Sequence, residues 1–344
     1  MNPPVDNPNL AQWAQRLETA AAAGRPCFFL LDFALLRPRL WVLGEDAAVP
    51  DFVFPGGRSG GAGPRERGLR QAPPVRIPSL RADHISPDRF RAAFDLVQAG
   101  LRRGDTFLTN LTFATPIELA GTPEDVFRHS EAKYRIHLPG EFVCFSPETF
   151  VTISATGYIE SRPMKGTAED TPAARAALLA SPKEIAEHAT IVDLIRNDLS
   201  QVARRVRVTD YRYLRPTASG RRPLVQTSSK IGGQLPTDWR ATLGRTLLRL
   251  LPAGSVSGAP KPATLDLIRA AEDGPRGYYC GIGGYFDGRS LDTCVLIRFI
   301  EPGPGGHYFR SGGGITARSN WEEEYRELRA KIRIPLAVRR FSLP

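Results

Sequence analysis

The sequence is poor in cysteine, and its few cysteines are widely spaced. Its 344 residues include four cysteines, none of which forms a CxxC pair. This spacing argues against a zinc ribbon, a thiol redox motif or a disulfide scaffold. The chain also lacks a GxxxxGK[ST] loop, a GxGxxG fingerprint and an HExxH motif. A P-loop ATPase, a dinucleotide-dependent dehydrogenase and the commonest type of zinc protease are therefore not indicated.

Long hydrophobic runs are also absent. The most apolar stretch, CFFLLDFALL at residues 27–36, contains Asp32 and is followed by Arg37. It falls short of the roughly 20 residues that span a bilayer. The first residues, MNPPVDNPNLAQW, show neither the basic start nor the apolar run of a secretory signal. We therefore predict a cytoplasmic protein that has no membrane segment and whose thiols stay reduced.

Basic residues outnumber acidic ones, 46 to 36, which gives a net charge of +10. Such a balance suits either a nucleic acid or a small anionic substrate. Only six of the basic residues are lysines, and the arginines are scattered without an RGG array or an aromatic RNP-like strand. The pattern predicts no nucleic-acid partner and favours a small anion. A basic RNA-binding protein is the alternative outside the enzymes.

Apolar periodicity predicts helices and strands that come in clusters. Helices are predicted where apolar residues recur every three to four positions, and strands where β-branched and aromatic residues lie between turn signals. The predicted helices are Leu10–Ala23, Ser86–Arg102, Thr171–Leu179, Pro182–Leu199, Thr242–Leu251, Ala263–Ala271 and Asn320–Ile334, and the predicted strands are Cys27–Leu31, Leu40–Leu43, Thr106–Phe113, Phe142–Phe145, Phe150–Ile153, Tyr158–Ser161, Gly281–Phe286, Thr293–Ile300 and His307–Ser311. This order favours an α+β fold with antiparallel sheets over a regular βαβ alternation.

One segment interrupts this pattern. Residues 55–78 are dense in Gly, Pro and Arg and have no apolar period, so we predict a mobile loop there. The loop lies at the end of a short N-terminal part, residues 1–80. The candidate catalytic and binding residues lie in residues 80–344. The length alone allows one large domain or two ordinary ones.

Glu324, Glu327 and Lys331 are spaced so that a helix places them on one face. The common explanation is a solvated charged stripe. The other is a site for a hard cation, because two carboxylates one turn apart suit Mg²⁺, with Lys331 near an anionic substrate. Glu187 lies on another predicted helix, where an isolated glutamate is most often structural.

Lys165, in SRPMKGT, follows a predicted strand and is flanked by apolar and small residues. Partial burial would lower its pKa and leave an amine able to act as a nucleophile or base. A lysine in a surface turn would have the same pattern. Glu148, in FSPETF, lies at the mouth of another predicted strand. An amine and a carboxylic acid in one cleft suit covalent catalysis with proton transfer.

Three glycine clusters accompany these residues: GSVSGAPK at 254–261, GIGGY at 281–285 and SGGGI at 311–315. Each is explained equally well by a turn or by close approach of backbone N–H groups to an anionic ligand. Arg298 offers the planar fork that binds carboxylates. As a set, these features fit a ligand that carries more than one carboxylate.

Taken together, the segments resemble the chorismate-utilising enzymes, and among them the short form of aminodeoxychorismate synthase component I. The resemblance covers about residues 80–335 and rests on GDTFLTNLT, FSPETF, SRPMKGT, EHATIVDLIRNDLS, GSVSGAPK, CGIGGYF, VLIRF, SGGGI and EEEYRELRAK, in the family's order. It implies an α+β fold in which antiparallel sheets form a sandwich around a central cleft, with helices outside, as in anthranilate synthase component I. Residues 1–80 then belong to the same domain as the chorismate-binding catalytic part, residues 80–344.

The resemblance also implies roles for single residues. Lys165 would be the nucleophile, and Glu148 the residue that transfers protons. A Mg²⁺ ion would be held by Glu187 and Glu327, with Glu324 nearby, bound directly or through water. The implied substrate contacts are Gly166, Thr167, Gly258, Ala259 and Lys331 for the ring carboxylate, and Tyr285, Arg298, Gly312 and Gly314 for the enolpyruvyl carboxylate.

Lys165 decides which reaction the resemblance implies. Aminodeoxychorismate synthases of this family carry lysine in the PxKGT position, whereas anthranilate synthases usually carry alanine there. The expected activity is therefore that of a transferase, which aminates chorismate with ammonia to 4-amino-4-deoxychorismate on the way to para-aminobenzoate and folate. We expect a separate glutamine amidotransferase subunit to supply the ammonia, because the chain has no glutaminase Cys/His arrangement. Anthranilate or isochorismate synthase activity is the alternative within the family.

Overall fold

The computed structural model describes residues 7–56, 58–60, 77–217 and 223–336. Within these ranges the helices are α1 Pro8–Ala22, α2 Pro87–Arg103, α3 Pro123–His129, α4 Pro172–Ala180, α5 Pro182–Ser200, α6 Leu243–Leu250, α7 Lys261–Ala271 and α8 Trp321–Ala330, with short 3-10 helices at Trp239–Thr242 and Gly254–Val256. The strands are β1 Cys27–Leu31, β2 Arg39–Val42, β3 Asp51–Phe54, β4 Arg58–Gly60, β5 Ser79–Ala82, β6 Leu108–Ala120, β7 Tyr134–Leu138, β8 Phe142–Ser146, β9 Thr149–Ile153, β10 Tyr158–Ser161, β11 Met164–Glu169, β12 Arg204–Thr217, β13 Leu224–Gln234, β14 Gly258–Ala259, β15 Ile282–Phe286, β16 Leu291–Val295, β17 Phe299–Gly303 and β18 Gly306–Ile315.

Two large sheets form the body of the protein. Sheet one has the order β11, β13, β10, β9, β16, β15, β1, β2, and β12 also pairs with β13. Sheet two has the order β14, β6, β18, β17, β8, β7, β3, β4, and β5 also pairs with β6. The strand pairs of both sheets, within the described ranges, are antiparallel. The predicted α+β class with antiparallel sheets is thus confirmed.

The main core lies between the two sheets. Phe28 of β1 stacks on Phe52 of β3 with ring centroids 4.3 Å apart, and Phe54 packs edge-on against Tyr134 of β7. These side chains are fully buried, and each stabilises the fold by about 2 to 3 kcal/mol relative to exposure. The N-terminal residues contribute to both sheets, since β1 pairs with β15 and β3 pairs with β7.

The helix that carries Glu324 and Glu327 starts at a well-defined cap. The Asn320 side chain accepts hydrogen bonds from the backbone N–H groups of Glu322 and Glu323. Acidic residues fill the first turn of α8, where they interact favourably with the helix dipole. The predicted helix Asn320–Ile334 is therefore correct at its start but too long at its end, because α8 stops at Ala330.

The β12–β13 hairpin is the largest element that the apolar pattern did not predict. β12 has the sequence RRVRVTDYRYLRPT, whose arginines hide the alternation expected of a strand. It is an outer strand, paired only with β13 in the described part of the chain, so few of its side chains need to be apolar. Arg205 and Arg212 adopt positive φ angles at interruptions of its pairing register.

Other expectations from composition have the following outcomes. The four cysteines are buried and free of disulfides. No helix in the described ranges has the length and apolar character needed to cross a membrane. Most of the loop predicted at residues 55–78, namely residue 57 and residues 61–76, lies outside the described residues.

Candidate active site

Lys165 lies within strand β11 and not in the turn that the sequence pattern left open. It is opposite Thr227 of β13, and the register shifts between Lys165 and Thr167. Gly166, at the shift, has a φ of +78°, a value that favours glycine. The Thr227 hydroxyl donates a hydrogen bond to the Lys165 carbonyl oxygen. This bulge and this bond fix the direction in which the lysine leaves the strand.

The ammonium group of Lys165 pairs with a carboxylate of α5. Lys165 Nζ is 2.8 Å from Glu187 Oε2, and their side chains are 31% and 11% exposed. Burial lowers the pKa of Lys165, but the charge and hydrogen bond of Glu187, with the charges of Glu327 and Glu324, outweigh burial and raise the pKa. The expectation of a lowered pKa was therefore wrong, because it took no account of carboxylates distant in sequence.

Glu324, Glu327 and Lys331 face the same region from α8. Lys331 Nζ is 2.8 Å from Glu327 Oε1 and donates a 2.7 Å hydrogen bond to the carbonyl oxygen of Gly312 in β18. Glu324 is buried, and burial, together with the charge of Glu327, raises its pKa. Glu327 is more open, with 58% of its side chain exposed. The helix spacing thus brings these residues together as predicted.

The glycines of β18 leave room for both lysines. A β-carbon built on Gly314 would lie 3.9 Å from Lys165 Nζ, and one built on Gly313 would lie 3.5 Å from Lys331 Nζ and 3.6 Å from Glu324 Oε2. Residues from β11, α8 and β18, far apart in the chain, therefore converge on one cleft between the sheets.

Glu148 lies between β8 and β9 and borders the same cleft. Its carboxylate accepts a 2.8 Å hydrogen bond from Ser255. Burial raises the pKa of Glu148, while the Ser255 hydrogen bond and the charges of Lys331 and Lys165 act in the opposite direction. A carboxylic acid with a raised pKa keeps its proton to higher pH, as a general acid requires.

Gly258 and Ala259 form the short strand β14, which pairs with Thr109 and Leu108 of β6. Gly258 has a φ of +128°, and a β-carbon there would lie 1.8 Å from the Leu108 carbonyl oxygen. Only glycine permits this close approach. Because β18 pairs with the other side of β6, with Gly314 opposite Asn110, β6 is flanked by β14 on one side and the β18 glycines on the other.

The remaining predicted contacts have distinct surroundings. Arg298 has a φ of +56°, and its Nη1 donates a 2.5 Å hydrogen bond to the Lys331 carbonyl oxygen. Tyr285 packs against Phe52, with ring centroids 5.3 Å apart, whereas Tyr279 is the tyrosine close enough to affect the pKa of Arg298. Thr167 is exposed. Tyr279 was not predicted, because the CGIGGYF segment on which the resemblance rests begins one residue after it.

Glu184 is a further carboxylate that sequence reasoning did not place at the site. Burial and the charge of Glu187 raise its pKa. Its Oε2 atom is buried without a hydrogen-bond partner in the part of the chain that the structure describes, and a β-carbon on Gly166 would lie 2.4 Å from that atom. The spacing of Glu184 and Glu187, three residues apart on one helix, is the signal that would have found it.

The carboxylates can be tested as a donor set for Mg²⁺. Among the described residues, no group of three or more His, Cys, Asp or Glu is arranged to hold a metal ion. In this structure Lys165 pairs with Glu187 and Lys331 with Glu327. The chemistry of the set still fits a hard cation. Glu187, Glu324 and Glu327 all act on Lys165, they offer only oxygen donors, and Glu184 adds a buried oxygen without a partner.

The family model described as chorismate binding enzyme matches residues 63–337. An uncharacterised PabA-like protein of Pasteurella multocida is 44% identical over 313 residues, which are 91% of this chain and 94% of that protein. Aminodeoxychorismate synthase component 1 of Salmonella typhimurium is 34% identical over 278 residues, which are 75% of this chain and 59% of that protein.

The fold has a counterpart among solved structures. The crystal structure of anthranilate synthase component I from Streptococcus pneumoniae superposes with a TM-score of 0.63 at 28% sequence identity, over 75% of this chain and 59% of that one. The predicted likeness of the fold to that of anthranilate synthase component I is therefore confirmed.

Proposed function

Because the chain belongs to the chorismate-binding enzyme family, we propose that it aminates chorismate with ammonia to 4-amino-4-deoxychorismate. The observation that carries the proposal is the position of Lys165. Its Nζ lies in the cleft between the sheets, 2.8 Å from Glu187, and this position supports a role as the nucleophile that attacks the ring. The 34% identity with a relative named aminodeoxychorismate synthase component 1 supports the same reaction.

The proposed chemistry uses two groups of this chain. Glu148 protonates the C4 hydroxyl of chorismate, which leaves as water while Lys165 attacks ring carbon C2. Ammonia then adds at C4 and expels the lysine, and Glu148 accepts the proton that the new amine releases. Lys165 has a raised pKa, so its ammonium must lose a proton before attack. The Lys165 side chain is 31% exposed, so this proton passes to solvent, and Glu187 is left to hold the metal ion.

The proposal gives each of the two chorismate carboxylates cationic or backbone partners. Lys331 and the backbone of Gly166, Thr167, Gly258 and Ala259 are assigned to the ring carboxylate. Arg298, Tyr285 and the backbone of Gly312 and Gly314 are assigned to the enolpyruvyl carboxylate. When bound, Mg²⁺, held by Glu187 and Glu327 with Glu324 nearby, would neutralise the ring carboxylate and orient it.

The proposal includes a partner and a location. The ammonia comes from a glutamine amidotransferase subunit, as component 1 in the relative's name suggests for a two-part enzyme. We expect the protein to act in the cytoplasm. The partners do not include nucleic acid, since the basic residues are scattered arginines without a recognised nucleic-acid motif.

Anthranilate synthase is the second candidate, because the solved structure reported above is of such an enzyme. Isochorismate synthase is the other reaction of the family. The products distinguish the three reactions. Anthranilate contains nitrogen and forms with release of pyruvate, whereas isochorismate contains no nitrogen. Aminodeoxychorismate gains nitrogen from ammonia and retains the enolpyruvyl group.

The test compares two lysine variants with chorismate and an ammonium salt as substrates. Lys165→Ala is expected to lose nearly all formation of aminodeoxychorismate. Lys183→Ala is the matched control, since Lys183 pairs with Glu323 on the surface, and it is expected to retain the activity. Full activity of Lys165→Ala would contradict the covalent mechanism.

A further inference from the structure

We infer that Ser255 is a positioning residue, whose hydroxyl holds the Glu148 carboxyl in the orientation from which it transfers a proton to the substrate. The inference rests on the proposed function, in which Glu148 is the acid. Ser255 Oγ is 2.8 Å from Glu148 Oε1. In the described ranges, no other group donates a hydrogen bond to this carboxylate.

Among the surroundings of Glu148, Ser255 is the polar contact that fixes the orientation of its carboxyl group. Both residues line a cavity of about 20 Å³, together with Asp198, Thr149, Ser161 and apolar side chains such as Phe150, Ile195 and Leu250. The hydroxyls of Thr149 and Ser161 are bonded elsewhere, to the Tyr134 hydroxyl and to the Phe150 carbonyl oxygen. This space holds about one water. Apolar walls cannot set the rotation of a carboxyl group, whereas a hydrogen bond from a rigid hydroxyl can.

The backbone that carries Ser255 is itself held firmly. Ser255 lies in the 3-10 helix Gly254–Val256, and Arg276 Nη1 donates a 2.6 Å hydrogen bond to the Val256 carbonyl oxygen. On the other side, a β-carbon on Gly254 would lie 2.8 Å from Leu194 of α5. The close packing against α5 and the bond from Arg276 leave the loop little freedom, so Ser255 presents its hydroxyl in one place.

Several titratable groups surround Glu148, and only the Ser255 hydroxyl is removed in a Ser255→Ala variant. Lys331 and Lys165 lower the pKa of Glu148 from the cleft side. The charge of Glu148 also acts on the pKa of the Cys280 thiol, and Asp198, paired with Lys261 at 3.1 Å, borders the cavity. None of these groups is altered by removing the Ser255 hydroxyl. The hydrogen bond from Ser255 favours the carboxylate form, so its removal raises the pKa of Glu148.

The kinetic test uses Ser255→Ala and Ser255→Thr. Ser255→Ala is expected to lower kcat roughly ten-fold and to leave KM for chorismate nearly unchanged, because the orientation of the acid is lost while substrate contacts remain. The descending limb of the pH profile of kcat should move to higher pH by about one unit. Ser255→Thr keeps a hydroxyl and should restore both values.

Ser257→Ala is the matched control in the same loop. The Ser257 hydroxyl donates to the Ala253 carbonyl oxygen and makes no contact with Glu148, so its loss should leave the pH limb in place. An unshifted limb in Ser255→Ala, or a shift of the same size in Ser257→Ala, would overturn the inference.

A measurement without substrate separates this inference from the proposed function. Infrared titration of the carboxyl band that disappears in Glu148→Gln gives the midpoint of Glu148 directly. We expect a higher midpoint in Ser255→Ala and a midpoint near that of the unchanged protein in Ser255→Thr. Equal midpoints in all three proteins would overturn the inference even if the enzyme makes aminodeoxychorismate. If the midpoint is higher in Ser255→Ala but the enzyme does not make aminodeoxychorismate, the proposed function is contradicted, whereas the contact between Ser255 and Glu148 is supported.

Discussion

At the residue scale, the protonation of Lys165 is set by carboxylates that come from elsewhere in the chain. The SRPMKGT segment was enough to single out this lysine, because an amine between apolar and small residues is unusual. Its pKa was not predictable from that segment, since Glu187 lies on α5 and Glu327 on α8. Burial alone would have lowered the pKa. The direction of the shift required the tertiary structure.

The space in front of Lys165 gives a first prediction. A methyl group on Gly314 would lie 3.9 Å from Lys165 Nζ and 3.1 Å from a flexible methyl of Leu108, so the strand can accommodate it but the cleft becomes smaller. Gly314→Ala is expected to raise KM for chorismate roughly ten-fold with little change in Tm. The measurement is steady-state kinetics with thermal unfolding.

Gly274→Ala is the control for this variant, because a β-carbon there meets nothing within 4 Å. It should leave both KM and Tm unchanged. An unchanged KM in Gly314→Ala would show that the substrate does not occupy this part of the cleft.

At the scale of elements, α5 and β13 are joined beneath Lys165 by a buried histidine. His188 Nε2 is 2.7 Å from the Ser229 hydroxyl, and the side chain is fully buried. Burial, with the charges of Arg212 and Lys165, lowers the pKa of His188 to about 4. The histidine is therefore neutral at physiological pH and links the helix that carries Glu187 to the strand next to Lys165.

This linkage predicts how stability depends on pH. The unfolded chain binds a proton at His188 near its ordinary pKa of 6.5, whereas the folded protein does so only near 4. The free energy of unfolding is therefore unaffected by protonation of His188 above pH 6.5. It falls as the pH decreases towards 4, by about 1 to 2 kcal/mol once solvent screening is allowed for. His188→Gln cannot titrate, so its denaturant midpoint should fall less between pH 7 and pH 4. Identical pH dependence in the two proteins would contradict this assignment.

The elements themselves were predictable to different degrees. The helix α2 was found almost to its boundaries, because Ser86 caps its start and Gly104 adopts the left-handed conformation at its end. The hairpin of β12 and β13 was missed, because the arginines of β12 hide any apolar alternation and the two strands are held together by their backbone pairing. The convergence of β11, α8 and β18 was available only through the family resemblance, since local sequence patterns contain no information about which elements meet.

At the scale of the whole molecule, a buried ion pair ties the second sheet to the loop that carries Ser255. Arg276 and Glu272 have side chains 1% and 5% exposed and lie 2.6 Å apart. Arg276 also donates to the carbonyl oxygens of Val256 and Asn110, and Glu272 accepts from the Thr112 backbone. The pair thus satisfies backbone groups of β6 and of the loop before β14 in one network.

Breaking this network should destabilise the protein as a whole. Arg276→Met leaves the Glu272 carboxylate buried without its partner, so we expect the free energy of unfolding to fall by about 3 to 5 kcal/mol. Adding Glu272→Gln should recover part of the loss, because the buried charge is removed. Denaturant unfolding monitored by circular dichroism measures both.

Arg81→Met provides the comparison, because Arg81 and Glu118 form an ion pair with side chains 80% and 73% exposed. Its unfolding midpoint should match that of the unchanged protein. A loss in Arg276→Met no larger than that in Arg81→Met would contradict the role of the buried network.

The central claim is that this protein transfers ammonia to chorismate, and product identification tests it most directly. The purified protein is incubated with chorismate, Mg²⁺ and an ammonium salt, with a parallel sample containing EDTA, and the products are identified by mass spectrometry. We expect 4-amino-4-deoxychorismate in the sample with metal and none in the sample with EDTA. Anthranilate with pyruvate, isochorismate, or unchanged chorismate in the presence of Mg²⁺ would contradict the claim.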